Sequence, residues 1–164
     1  MVRQAIPTKM IVNAMTMTAK RGGLLLVYFG YTMCPDICPT TLADVRGALS
    51  RLPAGQRRRV DFAMVTVDPR RDTAAVLNGY LSHFFRSWHA LRTTDPAALR
   101  QAERAFRASH ELGTPDQDGN YDVSHTAQVY AVDDRGTVRV EWPFGTGSGP
   151  IAADLRAVLA RQRG

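Results

Sequence analysis

The sequence predicts an α/β fold with a central mixed sheet flanked by helices. Three observations carry this. Residues 24–30 are a short continuous apolar run and residues 60–67 read as a second buried strand, apolar residues recur at helical spacing after each, and a hairpin signal lies near the C-terminal end. A continuous apolar run of this length fits a strand buried on both faces, and parallel strands of that kind are joined by crossover helices. At 164 residues the chain is long enough for one domain with a sizeable core.

The elements follow in order. Residues 24–30, LLLVYFG, form the first buried strand and end in glycine. From Pro39 onward, Leu42, Val45, Leu49 and Leu52 mark a helix with one buried face. Residues 60–67 form the second strand, and residues 72–85 a helix with Leu77, Tyr80, Leu81 and Phe84 inward. Residues 88–92 read as a short strand. Asp95-Pro96 pairs a capping residue with a proline at the first helical position, opening a helix that buries Leu99, Ala102 and Phe106. Residues 111–121, rich in Gly, Asp, Asn and Pro, read as a long surface loop. Residues 126–132 and 137–142 flank Asp133-Asp134-Arg135-Gly136, a hairpin signal. Residues 150–161 form a last helix through Ile151, Leu155, Val158 and Leu159. The order β-α-β-α-β-α-β-β-α is that of a thioredoxin-like fold. Its active edge is the loop after the first strand together with the start of the next helix.

Composition narrows the function. Hydrophobic content of 45% with 22% charged residues is that of a soluble globular protein. The net charge of +6 is carried by arginine, since Lys9 and Lys20 are the only lysines. The densest basic run, Arg57-Arg58-Arg59, has no interleaved aromatic residue and reads as a solvated connection, so no nucleic-acid partner is expected. A basic surface favours docking on an acidic partner or an anionic membrane. The longest apolar run is far short of the roughly 20 residues needed to cross a bilayer. Residues 1–23 lack the apolar core of a signal peptide. As written, the chain is expected to be soluble and untargeted.

Cys34 and Cys38 are the only cysteines. Proline is disfavoured one turn into a helix, so the helix is expected to begin at Pro39 with Cys38 as its N-cap. Cys34 to Ile37 then form the preceding loop. A Cys38 thiolate so placed faces the positive end of the helix dipole, which lowers its pKa. The pair fits a dithiol/disulfide redox site, provided the Cα atoms come within roughly 7 Å. It equally fits a soft-metal site; inert core thiols fit a two-proline edge poorly. Two thiolates leave an ion under-coordinated, and soft thiolates favour Cu(I), while Cu(II) also wants nitrogen. Among the four histidines, His83 reads as a surface residue, and His89 and His110 have no supporting context. His125 stands at the end of the polar loop, where the following strand starts at the same sheet edge as the cysteines.

With these residues in view, the sequence resembles the SCO/SenC family of copper-binding, thioredoxin-like assembly factors for cytochrome c oxidase. The resemblance is carried by YFGYTMCPDICPTTLAD at 28–44, VTVDPRRDT at 65–73, YDVSHT at 121–126 and VYAVDDRG at 129–136. It implies a mononuclear copper site, Cu(I) or Cu(II), with Cys34, Cys38 and His125 as ligands. It further implies delivery of copper to the oxidase's dinuclear copper centre, or reduction of that centre's cysteines. The partners would be the copper-bearing oxidase subunit or another copper chaperone. Asp68 matches the aspartate of the family's DPxRDT motif and is an auxiliary candidate; otherwise it caps the turn ahead of Pro69.

The sequence departs from the family in three places. Ser124 stands where the family carries an aspartate before the histidine, so any tuning of the imidazole by that carboxylate differs here. The family's membrane anchor or signal, and its strand pair ahead of the first central strand, are not visible in residues 1–23. That stretch is read as an atypical or truncated N-terminal segment, with the SCO/SenC domain at residues 24–164. An outward-facing, periplasmic or membrane-associated location follows from the resemblance alone, and membrane association would need an upstream anchor. Within the segment, AMTM at 14–17 places Met15 and Met17 as auxiliary soft ligands, with Met10 nearby; the plainer reading is an edge strand.

The reading is therefore a copper metallochaperone and not a turnover enzyme. The alternative is a thiol:disulfide oxidoreductase using Cys34 and Cys38. Peroxidase chemistry is a third class; Thr32 lies near Cys34, but no neighbouring arginine is evident.

Overall fold

The computed structural model describes residues 4–5, 11–12 and 15–162. The chain runs β1 Gln4–Ala5, β2 Ile11–Val12, β3 Met15–Thr16, β4 Leu24–Gly30, α1 Ile37–Ser50, α2 Ala54–Arg57, β5 Val60–Thr66 and α3 Ala74–Ser82. It continues through β6 His89–Leu91, α4 Pro96–Phe106, β7 His110–Leu112, β8 Val123–His125, β9 Gln128–Val132, β10 Thr137–Pro143 and α5 Ser148–Arg161. The main sheet has the strand order β1-β10-β9-β4-β5-β6. It is mixed: β4, β5 and β6 are parallel, while β9 and β10 run antiparallel to their neighbours.

Strand β4 is central because all of its residues are buried, and it pairs with β5 on one side and β9 on the other. Successive side chains on a strand point to opposite faces. Tyr28 reaches Cys38 on α1, whereas Phe29 packs edge-on against Phe106 of α4 at 5.4 Å. Helices α1 and α4 therefore cover opposite faces, and α5 packs beside α1. This is the helix-flanked mixed sheet that the alternating sequence predicts.

Local chemistry sets the boundaries. Asp95 caps α4 by accepting a 2.9 Å hydrogen bond from the Ala97 N–H, with Pro96 opening the helix. In the β9–β10 hairpin, the buried Asp133 carboxylate accepts from the N–H groups of Arg135 and Thr137, both at 2.9 Å. Gly136 there takes φ of 73°, the left-handed region a glycine enters without strain.

Three expectations are corrected. Helix α1 begins at Ile37, not Pro39, and its N-cap is Asp36, not Cys38. Proline is tolerated at the third helical position because that N–H has no intrahelical acceptor in any helix. The stretch expected to be loop from residue 111 contains β7, which pairs with β8 and leaves the loop to residues 113–122. Three-residue strands are too short to show a period of two. Finally, Met17, from the segment read as atypical, is 1% exposed and packs in the core. No helix among the described residues is long and apolar enough to cross a membrane.

The Asp95→Ala variant is expected to lose about 1 kcal/mol of stability, the usual worth of a helix cap. Urea unfolding with an unchanged m-value checks this.

Candidate metal centre

The end of β4 and the first turn of α1 form the floor of the site. Cys38 is the second residue of α1 and points inward, with 0% of its surface exposed. Cys34, in the loop before the helix, keeps 8% and forms the rim. Its Sγ accepts the otherwise unpaired Cys38 N–H at 3.3 Å. The sulfur at the positive end of the helix is thus that of Cys34, and not that of Cys38 as expected. Nor is the Cys38 thiol acidified: burial pushes it up to about 12, outweighing the hydrogen bond it receives from Tyr28. Neither cysteine is in a disulfide.

Close approach of helix to strand requires Gly30. A Cβ there would lie 2.7 Å from Tyr28 Cε1 and 3.1 Å from Cys38 Sγ. The loop ahead of α1 is tied down by Asp72, which is fully buried and accepts from Thr32 N–H at 3.1 Å, the Thr32 hydroxyl, and the Thr66 hydroxyl at 2.7 Å. Thr32 is thereby committed to Asp72.

His125 enters from β8. Its Nδ1–H donates to the Thr126 carbonyl at 3.2 Å, which leaves the Nε2 lone pair facing Cys38 Sγ at 3.3 Å. Tyr28 and Tyr31 meet the imidazole edge-on, at 6.1 and 5.6 Å between ring centres. Burial lowers the His125 pKa and keeps the ring neutral, the form in which it can ligate a metal. One atom from each of Cys34, Cys38 and His125 lies within 4.8 Å of the others. Among the described residues no further His, Cys, Asp or Glu joins that group. Two sulfurs and one imidazole nitrogen around one point can hold a soft, low-coordinate ion.

The other sequence candidates lie elsewhere. The buried Asp68 carboxylate takes hydrogen bonds from Arg71 and from the Tyr121 hydroxyl, while the Arg71 guanidinium sits 3.9 Å from the centre of the Tyr121 ring. Asp68 thus pins the 113–122 loop and is not among the clustered donors. Met17 is packed in the core. For Met15 only the backbone is described, and Met10 lies outside the described residues. His83 is exposed.

Sequence reasoning passed over His110. It sits opposite His125 in the β7–β8 register, and its Nδ1 pairs with the buried Glu103 carboxylate of α4. Ser109 and Thr126 reinforce the same ladder: Thr126 N–H donates to the Ser109 carbonyl and Ser109 N–H to the Thr126 hydroxyl, both at 3.0 Å. Strand β8 is therefore anchored through β7 to α4. The shortness of β7 hid this. Asp72 belongs to the VTVDPRRDT segment at residues 65–73, but its partner Thr32 lies 40 positions earlier in the chain.

A family model for SCO1/SenC matches residues 12–160. The chain belongs to the SCO1/SenC family. Among its relatives is an SCO2-like protein of Rickettsia felis, 34% identical over 119 residues, which cover 71% of this chain and 56% of that protein. The chain thus spans about half the length of the curated relatives it matches, from 57% of one to 41% of another. The solution structure of apo Sco1 from Thermus thermophilus has a TM-score of 0.75 at 32% identity, covering 84% of this chain and 80% of that one. ScoI of Bradyrhizobium japonicum with copper bound has a TM-score of 0.73 at 33% identity, covering 84% and 86%. These SCO structures share the thioredoxin-like fold described above.

Two outcomes are expected. Asp72→Ala strands the buried Thr66 hydroxyl and two half-buried Thr32 donors and should cost about 2 kcal/mol in urea unfolding; a loss below about 0.5 kcal/mol would contradict its anchoring role. His125 is held neutral in the fold but takes a proton below pH ~6.5 when unfolded. Its contribution is therefore present above that pH and lost on acidification through the lowered folded value. The metal-free His125→Phe variant should show a shallower fall in stability from pH 7 to 5 than wild type.

Proposed function

We propose that this chain is a copper metallochaperone, holding one copper ion through Cys34, Cys38 and His125, for assembly of the dinuclear copper centre of cytochrome c oxidase. The observation that carries the reading is the convergence of two thiols and a neutral imidazole, its nitrogen lone pair turned inward, on one point. Soft sulfur favours Cu(I), and the nitrogen makes Cu(II) acceptable. Family membership and the copper-bound ScoI relative support the choice of metal. Three ligands with one sulfur at the rim leave room for an acceptor's ligand to enter, as release of cargo requires. The partner is the copper-bearing oxidase subunit or another copper chaperone, met outside the cytoplasm.

Competition for Cu(I) against a chromophoric chelator tests this. Wild type should bind one ion, Cys38→Ser should lose it, and His125→Ala should bind at least about tenfold more weakly, some 1.4 kcal/mol. A His125→Ala affinity within about threefold of wild type would contradict the three-ligand site.

The closeness of the two free sulfurs favours a second reading, thiol:disulfide exchange with a partner's cysteines. That reading predicts that reduction of an oxidised dicysteine protein survives in His125→Ala and is lost in Cys34→Ser.

A further inference from the structure

We propose that Tyr28 is a positioning residue for the Cys38 sulfur, its hydroxyl donating the hydrogen bond that sets how strongly this sulfur donates charge to bound copper. The inference rests on the copper reading above. Tyr28 is fully buried at the end of β4, and its O–H reaches Cys38 Sγ at 3.4 Å, within the range of a sulfur hydrogen bond. The ring has little freedom to leave. It meets the His125 imidazole edge-on, and it occupies the space that the absent side chain of Gly30 leaves open.

When copper replaces the thiol proton, the sulfur becomes a better acceptor, so the Tyr28 hydrogen bond strengthens in the loaded state. A hydrogen bond to a ligating cysteine sulfur withdraws charge from the metal–sulfur bond, one of the levers that tune a copper–thiolate potential. Cu(II) draws more on sulfur donation than Cu(I). The Tyr28 hydroxyl therefore weights the site toward Cu(I).

The test uses the full chain loaded with Cu(II) or Cu(I). Tyr28→Phe keeps the ring and removes only the donor. Its sulfur-to-copper charge-transfer band should move to longer wavelength, and the ratio of Cu(II) to Cu(I) affinity should rise about tenfold. Replacing Tyr28 with 3-fluorotyrosine, a stronger donor of nearly the same size, should move both in the opposite direction. This second variant decides the matter if Tyr28→Phe does not fold. A wild-type band that stays in place in both variants, with the ratio unchanged, would overturn the role of Tyr28 and leave the ligand set standing. A wild type without any sulfur-to-copper band would overturn the ligand set itself, and Tyr28's role with it.

Discussion

The site depends on how closely helix α1 approaches the end of strand β4. Cys38 Sγ sits where any side chain on Gly30 would strike it or the Tyr28 ring. Because β4 is buried on both faces and held between β5 and β9, its end is a rigid floor. The helix can start against that floor only if the strand's last residue presents bare backbone. With that contact made, Cys38 is placed by packing and Cys34 by its hydrogen bond to the first helical turn. The cysteines need no disulfide to stay together.

The remaining donor comes from far along the chain, with His125 87 positions beyond Cys38. Non-local placement of that kind needs its own anchors. The β7–β8 ladder, the His110–Glu103 pair and the Ser109–Thr126 bonds fix β8 to α4. Asp68, Arg71 and Tyr121 hold the loop that leads into β8. Asp72 locks the cysteine loop to the end of β5. The carboxylates of Asp68, Asp72 and Glu103 are each engaged within the scaffold, while the two sulfurs and the imidazole nitrogen converge on one point. Burial raises the Cys38 thiol and lowers His125, so Cys38 is held as a thiol beside a neutral imidazole, and a cation bound through Cys38 must displace its proton.

Much of this was legible in the sequence. The apolar run at residues 24–30, the strand-like segment at 60–67, the Asp95-Pro96 cap and the hairpin around Asp133 are local signals that tertiary packing reinforces. The three donors were legible as residue types at a sheet edge. What failed was local detail. The rule against proline inside a helix put the start of α1 two residues late, because the third helical N–H has no partner to lose. The dipole argument gave Cys38 the wrong pKa direction, because side-chain direction, and hence burial, was not visible. Met17 was an auxiliary candidate beside the plainer edge-strand reading, and its place in the core was not visible because composition cannot distinguish a core thioether from an exposed one. Glu103, His110 and Asp72 escaped notice because their partners are set by the fold and not by spacing.

Copper-edge X-ray absorption of the Cu(I)-loaded chain tests the central claim most directly, since it counts the atoms bound to the metal. Two sulfur scatterers and one nitrogen are expected, with the nitrogen lost in His125→Ala. A shell without sulfur, or a two-sulfur shell identical in wild type and His125→Ala, would contradict a centre built from Cys34, Cys38 and His125.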